Sequence, residues 1–178
     1  MKKTIAIAGA TGFIGQWFIE KYKHEYNIIA LSRNKIKYPD STDINWKQVD
    51  LYSISSTTKA LQGADIAIYL VHSMMPSTRL NQGNFEDTDI LLADNFSRAA
   101  QDCNLKQIIY VGGILPKDDH TISKHLKSRY EVEKTLGSRN TPLTSIRAGI
   151  IIGPNGSSFR IVQQLVKNLP KTLYLKLK

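Results

Sequence analysis

Three glycines near the N-terminus have the spacing that phosphate binding requires. Gly9, Gly12 and Gly15 stand between an apolar run, residues 4–8, and an amphipathic stretch typical of a helix. The first glycine permits a tight turn, the second lets a pyrophosphate approach the backbone, and the third lets the helix pack on the strand. Amide groups at the start of a helix bind anions. The sequence therefore predicts a dinucleotide site, the alternative being a glycine-rich turn without a ligand. The residues of this predicted site are Gly9, Thr11, Gly12, Phe13, Ile14 and Gly15.

The end of the second apolar run indicates which dinucleotide fits. A site for NAD(H) usually places Asp or Glu there, where the carboxylate binds the ribose 2′-hydroxyl. Here the run ends in Ser32 and Arg33, and no acidic residue occurs between Glu25 and Asp40. Arg33 with Ser32 can hold a 2′-phosphate through charge-assisted hydrogen bonds. The pattern favours NADP(H), with NAD(H) as the alternative and a solvated loop arginine as the simplest other interpretation.

Apolar runs and helical patterns alternate along the whole chain. Strands are predicted at residues 4–8, 27–31, 45–49, 65–71, 107–111 and 143–147, and helices at 12–22, 55–61, 84–101, 121–136 and 158–169. Such alternation predicts an α/β fold, a Rossmann-type doubly wound parallel sheet of about six strands with helices on both faces. The expected strand order is 3-2-1-4-5-6, with the ligand in the crevice where the order reverses.

Length, charge and cysteine content narrow the class of protein. The 178 residues predict a single domain over residues 1–178. The net charge of +9 raises the question of nucleic acid, but the basic residues are scattered except in residues 171–178, so nucleic-acid binding is the weaker interpretation. The single cysteine, Cys103, favours a reducing compartment, and we expect a cytoplasmic protein. We expect no membrane span, because every apolar run is too short, and no metal site is predicted.

Further motifs carry a family resemblance that runs from about Lys3 to Pro170. The glycine motif, Ser32-Arg33, Asp50-Leu51 and Gly63-Ala64-Asp65 together resemble the extended and atypical branches of the short-chain dehydrogenase/reductase superfamily. The more specific segments, residues 69–74, 147–154 and 157–159, resemble the bacterial NmrA-like NAD(P)H-binding proteins. That subgroup is often labelled nucleoside-diphosphate-sugar epimerase-like.

The resemblance implies roles for residues at the ends of other strands. Asp50 and Leu51 would flank the adenine, although a helix-capping or loop carboxylate is an equally simple interpretation of Asp50. Leu70, Val71 and His72 would line the ribose and nicotinamide side. Gly112, at the end of the fifth predicted strand, is assigned to the cofactor site as well.

Enzymes of this superfamily use a Tyr-xxx-Lys pair and a serine or threonine, and this sequence departs from both. Tyr130 and Lys134 match the pattern literally, whereas His125 and Arg129 occupy its register in the family. The two pairs are about 140° apart around a helix, so both cannot face the cofactor. The expected serine is absent, since the fifth predicted strand ends in Val111-Gly112-Gly113.

The helical pattern favours the second pair. His125 and Arg129 share a stripe with Val132 and Leu136, and an apolar stripe should face the core. Tyr130 and Lys134 lie on a polar stripe, which predicts a surface position. His125 can act as an acid or base near neutral pH, but a structural or cofactor-contact role for it and for Arg129 is an open alternative.

Relatives in the superfamily continue beyond the equivalent of Lys178, so most of the substrate-binding part is expected to be absent here. An uncovered sheet edge would invite pairing with a second copy. Two functions are consistent with these residues. One is an NADP(H)-dependent oxidoreductase or epimerase-like enzyme with a degenerate catalytic site, and the other is a non-catalytic module that senses NADP(H).

Overall fold

The computed structural model describes residues 2–35, 43–72, 85–115, 123–153 and 156–168. In these ranges strands and helices alternate along the chain. The strands are β1 (Thr4–Ala8), β2 (Asn27–Ser32), β3 (Ile44–Gln48), β4 (Ile66–Tyr69), β5 (Gln107–Gly113) and β6 (Leu143–Ala148). The helices are α1 (Phe13–Tyr22), α2 (Ile54–Leu61), α3 (Phe85–Asp102), α4 (Lys124–Leu136) and α5 (Ser157–Asn168). Among the described residues, none of these helices has the length and apolarity to cross a membrane.

The strands form one sheet in the order β3-β2-β1-β4-β5-β6, which confirms the predicted topology. The pairings of β1 with β2 and β4, of β2 with β3, and of β4 with β5 are all parallel. The order reverses between β1 and β4, because the chain runs outward from β1 through β2 to β3 and returns to β4 on the other side. The carboxyl ends of β1 and β4 therefore flank the crevice where such sheets bind ligands.

Alternate residues of the strands face two different hydrophobic layers, so helices cover both faces as predicted. On one face Ile5, Ile7, Ile28 and Ala30 pack with Ile19 of α1. The other layer joins the sheet to α2, α3 and α4, and its fully buried members include Ala6, Leu61, Ala67, Phe96, Ile108 and Leu136. Central strands buried on both faces explain the continuous apolar runs in the sequence.

The ends of β4 and β5 differ from the prediction by two residues, and those of β2, β3 and β6 by one. β4 ends at Tyr69 and not at Val71, because the Leu70 amide makes a last hydrogen bond to the Ala8 carbonyl, at 2.9 Å, before the chain leaves the sheet. β5 continues to Gly113 beneath α4, two residues further than predicted. Residues 84, 121, 122 and 169, which were predicted to lie in helices, fall outside the described residues.

By its contacts the chain divides into two compact units, residues 1–147 and 148–178. The first contains β1 to β5 with α1 to α4, and most of β6. The second contains α5, whose apolar side chains Ile161, Leu165 and Val166 are each more than half exposed. The expectation of one domain over residues 1–178 remains a prediction.

Candidate functional site

The turn between β1 and α1, the glycine turn (residues 9–15), needs two of its glycines for backbone reasons. Gly9 has φ +87°, and a Cβ on it would lie 3.0 Å from the Leu70 carbonyl oxygen. A Cβ on Gly15 would lie 2.6 Å from the Gly9 carbonyl oxygen and 2.8 Å from the Cα of Ala10. The positive φ and the close Leu70 carbonyl disfavour a side chain at Gly9, and the two short distances leave no room for one at Gly15. The turn therefore packs tightly against the end of β4 and against the first turn of α1.

Gly12 is different, because its backbone does not require glycine. Its φ of −74° and ψ of 168° are open to any residue. A Cβ there would have one close neighbour, the Gly9 carbonyl oxygen at 3.2 Å. Among the described residues no side chain caps the start of α1, and its first turn carries no acid. The amide groups that follow Gly12 are thus accessible to an external anion.

The end of β2 presents a cation beside this turn. The Arg33 carbonyl accepts a hydrogen bond from Gln48 Nε2 at 3.1 Å, and Ser32 Oγ accepts one from the Asn34 amide at 3.3 Å. These bonds fix the backbone where β2 and β3 end. The Arg33 side chain is exposed, and within the described part of the chain no acidic side chain forms a salt bridge with it. It is available for an anionic ligand.

The end of β3 is held by a residue that the sequence-based prediction missed. Asn95 of α3 is 5% exposed, and its Nδ2 donates to the carbonyl oxygens of Leu51 and Tyr52, each at 3.0 Å. Leu51 is buried, and the Asp50 carboxylate accepts the Tyr52 amide at 3.2 Å. This last bond agrees with the loop interpretation of Asp50 without excluding a ligand role. A polar residue on the buried stripe of α3 was the available sequence signal for Asn95.

At the end of β4, His72 contacts residues from two helices. Its Nδ1 lies 3.2 Å from Asp89 Oδ2 in α3, and the side chains are 18% and 4% exposed. Its ring meets the His125 ring edge-on, with 4.7 Å between centroids. Its Nε2 is buried and has no hydrogen-bond partner in the part of the chain that the structure describes. Leu70 and Val71, the other predicted contacts on this strand end, are half-buried.

In α4, which begins after the Ser123 cap, His125 and Arg129 lie one turn apart and interact. Arg129 Nε donates to His125 Nε2 at 3.3 Å, and Tyr110 of β5 donates to the Arg129 carbonyl at 3.2 Å. Partial burial, and then the charge interactions with His72 and Arg129, lower the pKa of His125, although Asp89 opposes them. Because Nε2 accepts the Arg129 hydrogen, the neutral ring carries its hydrogen on Nδ1. We call His72, Asp89, His125 and Arg129 the histidine cluster.

Tyr130 and Lys134 are exposed on the same helix, but so is His125, so the expectation that the His125 stripe faces the core holds only for its far end. Tyr130 is 37% exposed, and the Lys134 ammonium lies 4.8 Å from the centre of its ring. Val132 and Leu136, by contrast, are 3% and 0% exposed. Tyr130 and Lys134 thus contact each other through a cation–π interaction.

At the carboxyl end of β5, a side chain in place of either glycine would require neighbouring side chains to move. A Cβ on Gly113 would lie 2.7 Å from Leu126 Cδ2, and one on Gly112 would lie 3.0 Å from Tyr110 Cε1. Gly112 is buried beneath α4. These glycines allow α4 to approach the sheet closely, which brings His125 and Arg129 to the strand ends.

A second concave surface lies at the amino ends of the strands. It has a volume of about 620 Å³ and is lined by Lys2, Lys3, Thr4, Asn27, Asp65 and Lys106. Asp65 accepts from Lys106 at 2.7 Å and from the Thr4 amide at 2.9 Å, and Lys2 pairs with Asp43 at 2.8 Å. These polar groups already satisfy one another, and ligands of such sheets bind at the opposite ends of the strands.

Comparison with known proteins identifies similar sequences. The chain matches a family described as NAD(P)H-binding over residues 9–169. It is 29% identical over 150 residues to the auxiliary protein GraX of Staphylococcus aureus, covering 80% of this chain and 43% of that protein. The chain therefore spans less than half the length of this relative.

Comparison with solved structures identifies the same fold. The UDP-N-acetylglucosamine 4-epimerase of Bacillus cereus has a TM-score of 0.67 at 21% identity, over 87% of this chain and 56% of that one. The Bordetella bronchiseptica enzyme WbmH, solved with NAD+, has a TM-score of 0.73 at 16% identity, over 94% and 63%. The oxidoreductase ylbE of Lactococcus lactis has a TM-score of 0.69 at 19% identity, over 86% and 72%. Identities this low show the fold alone.

Proposed function

Since this chain belongs to the NAD(P)H-binding family, as its sequence motifs predicted, we propose that it binds NADP(H) in preference to NAD(H) across the carboxyl end of the sheet. The observation that carries the proposal is the open start of α1. Gly12 exposes amide groups with neither a capping side chain nor an acid in the first turn. A pyrophosphate supplies the acceptors that these donors lack.

Each part of the cofactor would meet a different strand end. The glycine turn would hold the pyrophosphate through Thr11, Gly12, Phe13 and Ile14, while Gly9 and Gly15 shape the turn. The other assigned residues are Ser32 and Arg33 for the 2′-phosphate, Asp50 and Leu51 for the adenine, and Leu70, Val71, His72 and Gly112 for the ribose and nicotinamide.

The preference for NADP(H) rests on charge at the end of β2. Arg33 has no acidic partner among the described residues, and no acid stands between Glu25 and Asp40 to bind a 2′-hydroxyl. A bound phosphate would give Arg33 a charge-assisted hydrogen bond. Solved relatives such as WbmH contain NAD+, but their low identity does not transfer that choice.

For the reaction, we propose an oxidoreductase or epimerase-like activity of the short-chain type, with a degenerate Tyr-xxx-Lys site. His125 and Arg129 would serve at the nicotinamide end, where the superfamily has tyrosine and lysine. Two observations support this assignment. The His125 ring contacts the His72 ring at the end of β4, and the Tyr130 ring makes a cation–π contact with Lys134. The similar structures include proteins named as epimerases and an oxidoreductase.

A second candidate function is a non-catalytic module that senses NADP(H). The similarity to GraX, which is named an auxiliary protein, favours it. The glycines at the place of the catalytic serine favour it as well. Such a protein would bind the cofactor but would not turn it over.

Two further proposals concern the setting. The first is a cytoplasmic location. Cys103 donates to the Thr58 carbonyl at 3.3 Å, and burial raises the pKa of its thiol, as expected for a packed, reduced cysteine.

The second is self-association. Among the described strands β6 lies at an edge of the sheet, and Ile146 on it is 51% exposed, so we propose that two copies pair through this edge. Light scattering of wild type and Ile146→Lys tests the second: equal masses would contradict it.

The function is tested by titrating the folded protein with NADPH and NADH, followed by fluorescence. We expect tighter binding of NADPH, and equal affinities would contradict the preference. Turnover of NADPH with 4-nitrobenzaldehyde, cyclohexanone and UDP-N-acetylglucosamine then separates the two candidates. Binding without turnover supports the sensor, whereas turnover that requires His125 supports the enzyme. Loss of turnover only in Tyr130→Phe would show that the assigned register is wrong.

A further inference from the structure

We infer that His72 and Asp89 form the acid–base pair of this site: His72 exchanges a proton with the substrate oxygen, and Asp89 is the residue that positions His72. The inference rests on the proposed function, because it needs a nicotinamide at the carboxyl end of the sheet. The substrate class is an alcohol or its carbonyl counterpart.

The first observation is the buried carboxylate. The Asp89 side chain is only 4% exposed, and its Oδ2 lies 3.2 Å from Nδ1 of His72. A carboxylate removed from water is tolerated only with a hydrogen-bond donor or a cation beside it. Because a carboxylate accepts hydrogen bonds, this contact requires hydrogen on His72 Nδ1, and in the neutral ring Nε2 then carries the lone pair.

The second observation is the other nitrogen of that ring. His72 Nε2 is buried and has no partner among the described residues, although buried polar atoms are nearly always hydrogen-bonded. Within the described ranges no donor or acceptor reaches this nitrogen, so it is available to a ligand hydrogen.

The third observation is where this nitrogen sits. His72 follows Leu70 by two residues, and the Leu70 carbonyl packs against Gly9 of the glycine turn. From α4, His125 meets the His72 ring edge-on, and Arg129 contacts His125. Burial raises the pKa of the Tyr69 and Tyr110 phenols, and the nearby charge of Asp89 raises it further. The pair thus belongs to the strand ends that flank the crevice.

The two histidines are not equivalent. His125 Nε2 already accepts the Arg129 hydrogen at 3.3 Å, which leaves its Nδ1–H as a donor. His72 presents the opposite, an unoccupied acceptor. His125 would hold the substrate oxygen by donating to it, while His72 removes the proton from that oxygen.

The step balances as an alcohol oxidation. When bound, NADP+ supplies the hydride acceptor, so the C–H electron pair leaves the alcohol carbon and the cofactor is reduced. The O–H bond of the substrate breaks, its proton goes to His72 Nε2, and the electrons left on oxygen form the second bond of the carbonyl. Asp89 stabilises the resulting imidazolium. The reverse sequence reduces a carbonyl and returns the proton to its oxygen.

A test that needs no substrate uses NMR of the full-length ¹⁵N-labelled protein. Long-range ¹H–¹⁵N spectra at about pH 8, where an ordinary histidine is neutral, report the tautomer of each ring. Comparison with His72→Gln assigns the His72 signals. We expect hydrogen on Nδ1 of His72 in the wild type, a changed tautomer population in Asp89→Asn, and a shift of the Nε2 signal when NADP+ is added. Asp94→Asn, a second acid of α3 that is paired with arginines, is the matched control and should change none of these signals.

Turnover provides the second measurement. We expect His72→Gln to lower the turnover number by about 10²- to 10⁴-fold, the usual effect of losing a general acid–base group, with NADPH affinity changed much less. Asp89→Asn should also lower the turnover number, whereas Asp94→Asn should leave it unchanged.

The outcomes separate this inference from the proposed function. Hydrogen on Nε2 of His72 in the wild type, or an unchanged tautomer in Asp89→Asn, overturns the pair. So does a His72→Gln protein that keeps its turnover, or a wild type that binds NADP+ without any shift at Nε2 or without turnover of an alcohol or a carbonyl. If the folded wild type binds neither dinucleotide, the proposed function itself fails and this inference fails with it.

Discussion

The glycine turn and the histidine cluster lie at the same end of the sheet but are assembled in different ways. The turn lies within seven consecutive residues, 9–15, and presents backbone amide groups. The cluster consists of side chains from the end of β4, from α3 and from α4, and His72 and Asp89 are 17 positions apart in the sequence. A site made of backbone leaves a motif in the sequence because only certain residues permit its conformation. A site made of side chains depends on the fold to bring its members together.

The largest expected effect is a loss of NADPH affinity in a variant whose glycine turn is altered but whose fold is kept. Asp in place of glycine at the start of a helix changes stability by only a few tenths of a kcal/mol, so Gly12→Asp should melt like the wild type. Its carboxylate would stand about 4 Å from a bound phosphate, which costs about 4 kcal/mol at a partly exposed site. NADPH affinity should therefore fall about 10³-fold in a calorimetric titration.

Gly63→Asp is the matched control for that experiment. Gly63 has open space around it and precedes β4 at the other end of the sheet, and because its φ of +82° strains a side chain, a melting curve first checks that the variant is folded. The new charge there should leave NADPH binding unchanged. Equal losses in the two variants would show that overall charge, and not the helix start, controls binding.

The next effect addresses the histidine cluster. His125→Gln should lower turnover about 10²-fold, the lower end for loss of a group that contacts the reacting oxygen, and should leave NADPH binding nearly intact. Tyr130→Phe should lower neither. Steady-state kinetics of both variants measure these turnover numbers. Lower turnover in Tyr130→Phe with normal turnover in His125→Gln would place the Tyr130–Lys134 pair in the site.

The charge at the end of β2 should have a smaller effect. A hydrogen bond to a charged group contributes about 1.5–3 kcal/mol, so Arg33→Ala should weaken NADPH binding about 10- to 100-fold. NADH lacks the 2′-phosphate and should bind equally to variant and wild type. An equal loss for both dinucleotides would mean that Arg33 supports the backbone and not the phosphate.

The sequence predicted the backbone-made parts of this molecule well. Apolar runs buried on both faces identified the strands, and their alternation with helices predicted the sheet order, which the structure confirms. The glycine spacing identified the turn because Gly9 and Gly15 answer local steric demands, while Gly12 leaves the start of α1 open. The assignment of individual residues to cofactor or catalysis remains a prediction.

The side-chain partners were harder to predict. Asp89 and Asn95 lie on the buried face of α3 with Leu92 and Phe96, yet nothing in the spacing says that they contact His72 and the end of β3. A charged residue on an otherwise apolar stripe is the one available signal. The end of β4 at Tyr69 was also missed, since Leu70 and Val71 continue the apolar run after the sheet has ended.

The smallest effect concerns the helix that carries Asp89. Burial opposes ionisation of Asp94, but hydrogen bonds from Arg139 and Arg98 prevail and lower the pKa of its carboxyl. A lowered pKa stabilises the fold above the unfolded value of about 3.9, and this contribution disappears as the pH falls through the folded value. In urea unfolding, the Asp94 ion pairs should contribute about 1 kcal/mol or less to the fall in the free energy of unfolding between pH 5 and pH 3. This contribution should be absent in Asp94→Asn. An identical pH dependence in both proteins would contradict this assignment.

The central claim is that amide groups at the start of α1 hold a dinucleotide, and an NMR titration of the ¹⁵N-labelled protein with NADPH tests it most directly. We expect saturable shifts that are largest for the amides of Phe13 and Ile14, because the Gly12 amide already donates to the Gly9 carbonyl at 2.9 Å. A folded protein whose amide signals at these positions do not move at about 1 mM NADPH, a concentration that detects even weak binding, would contradict it.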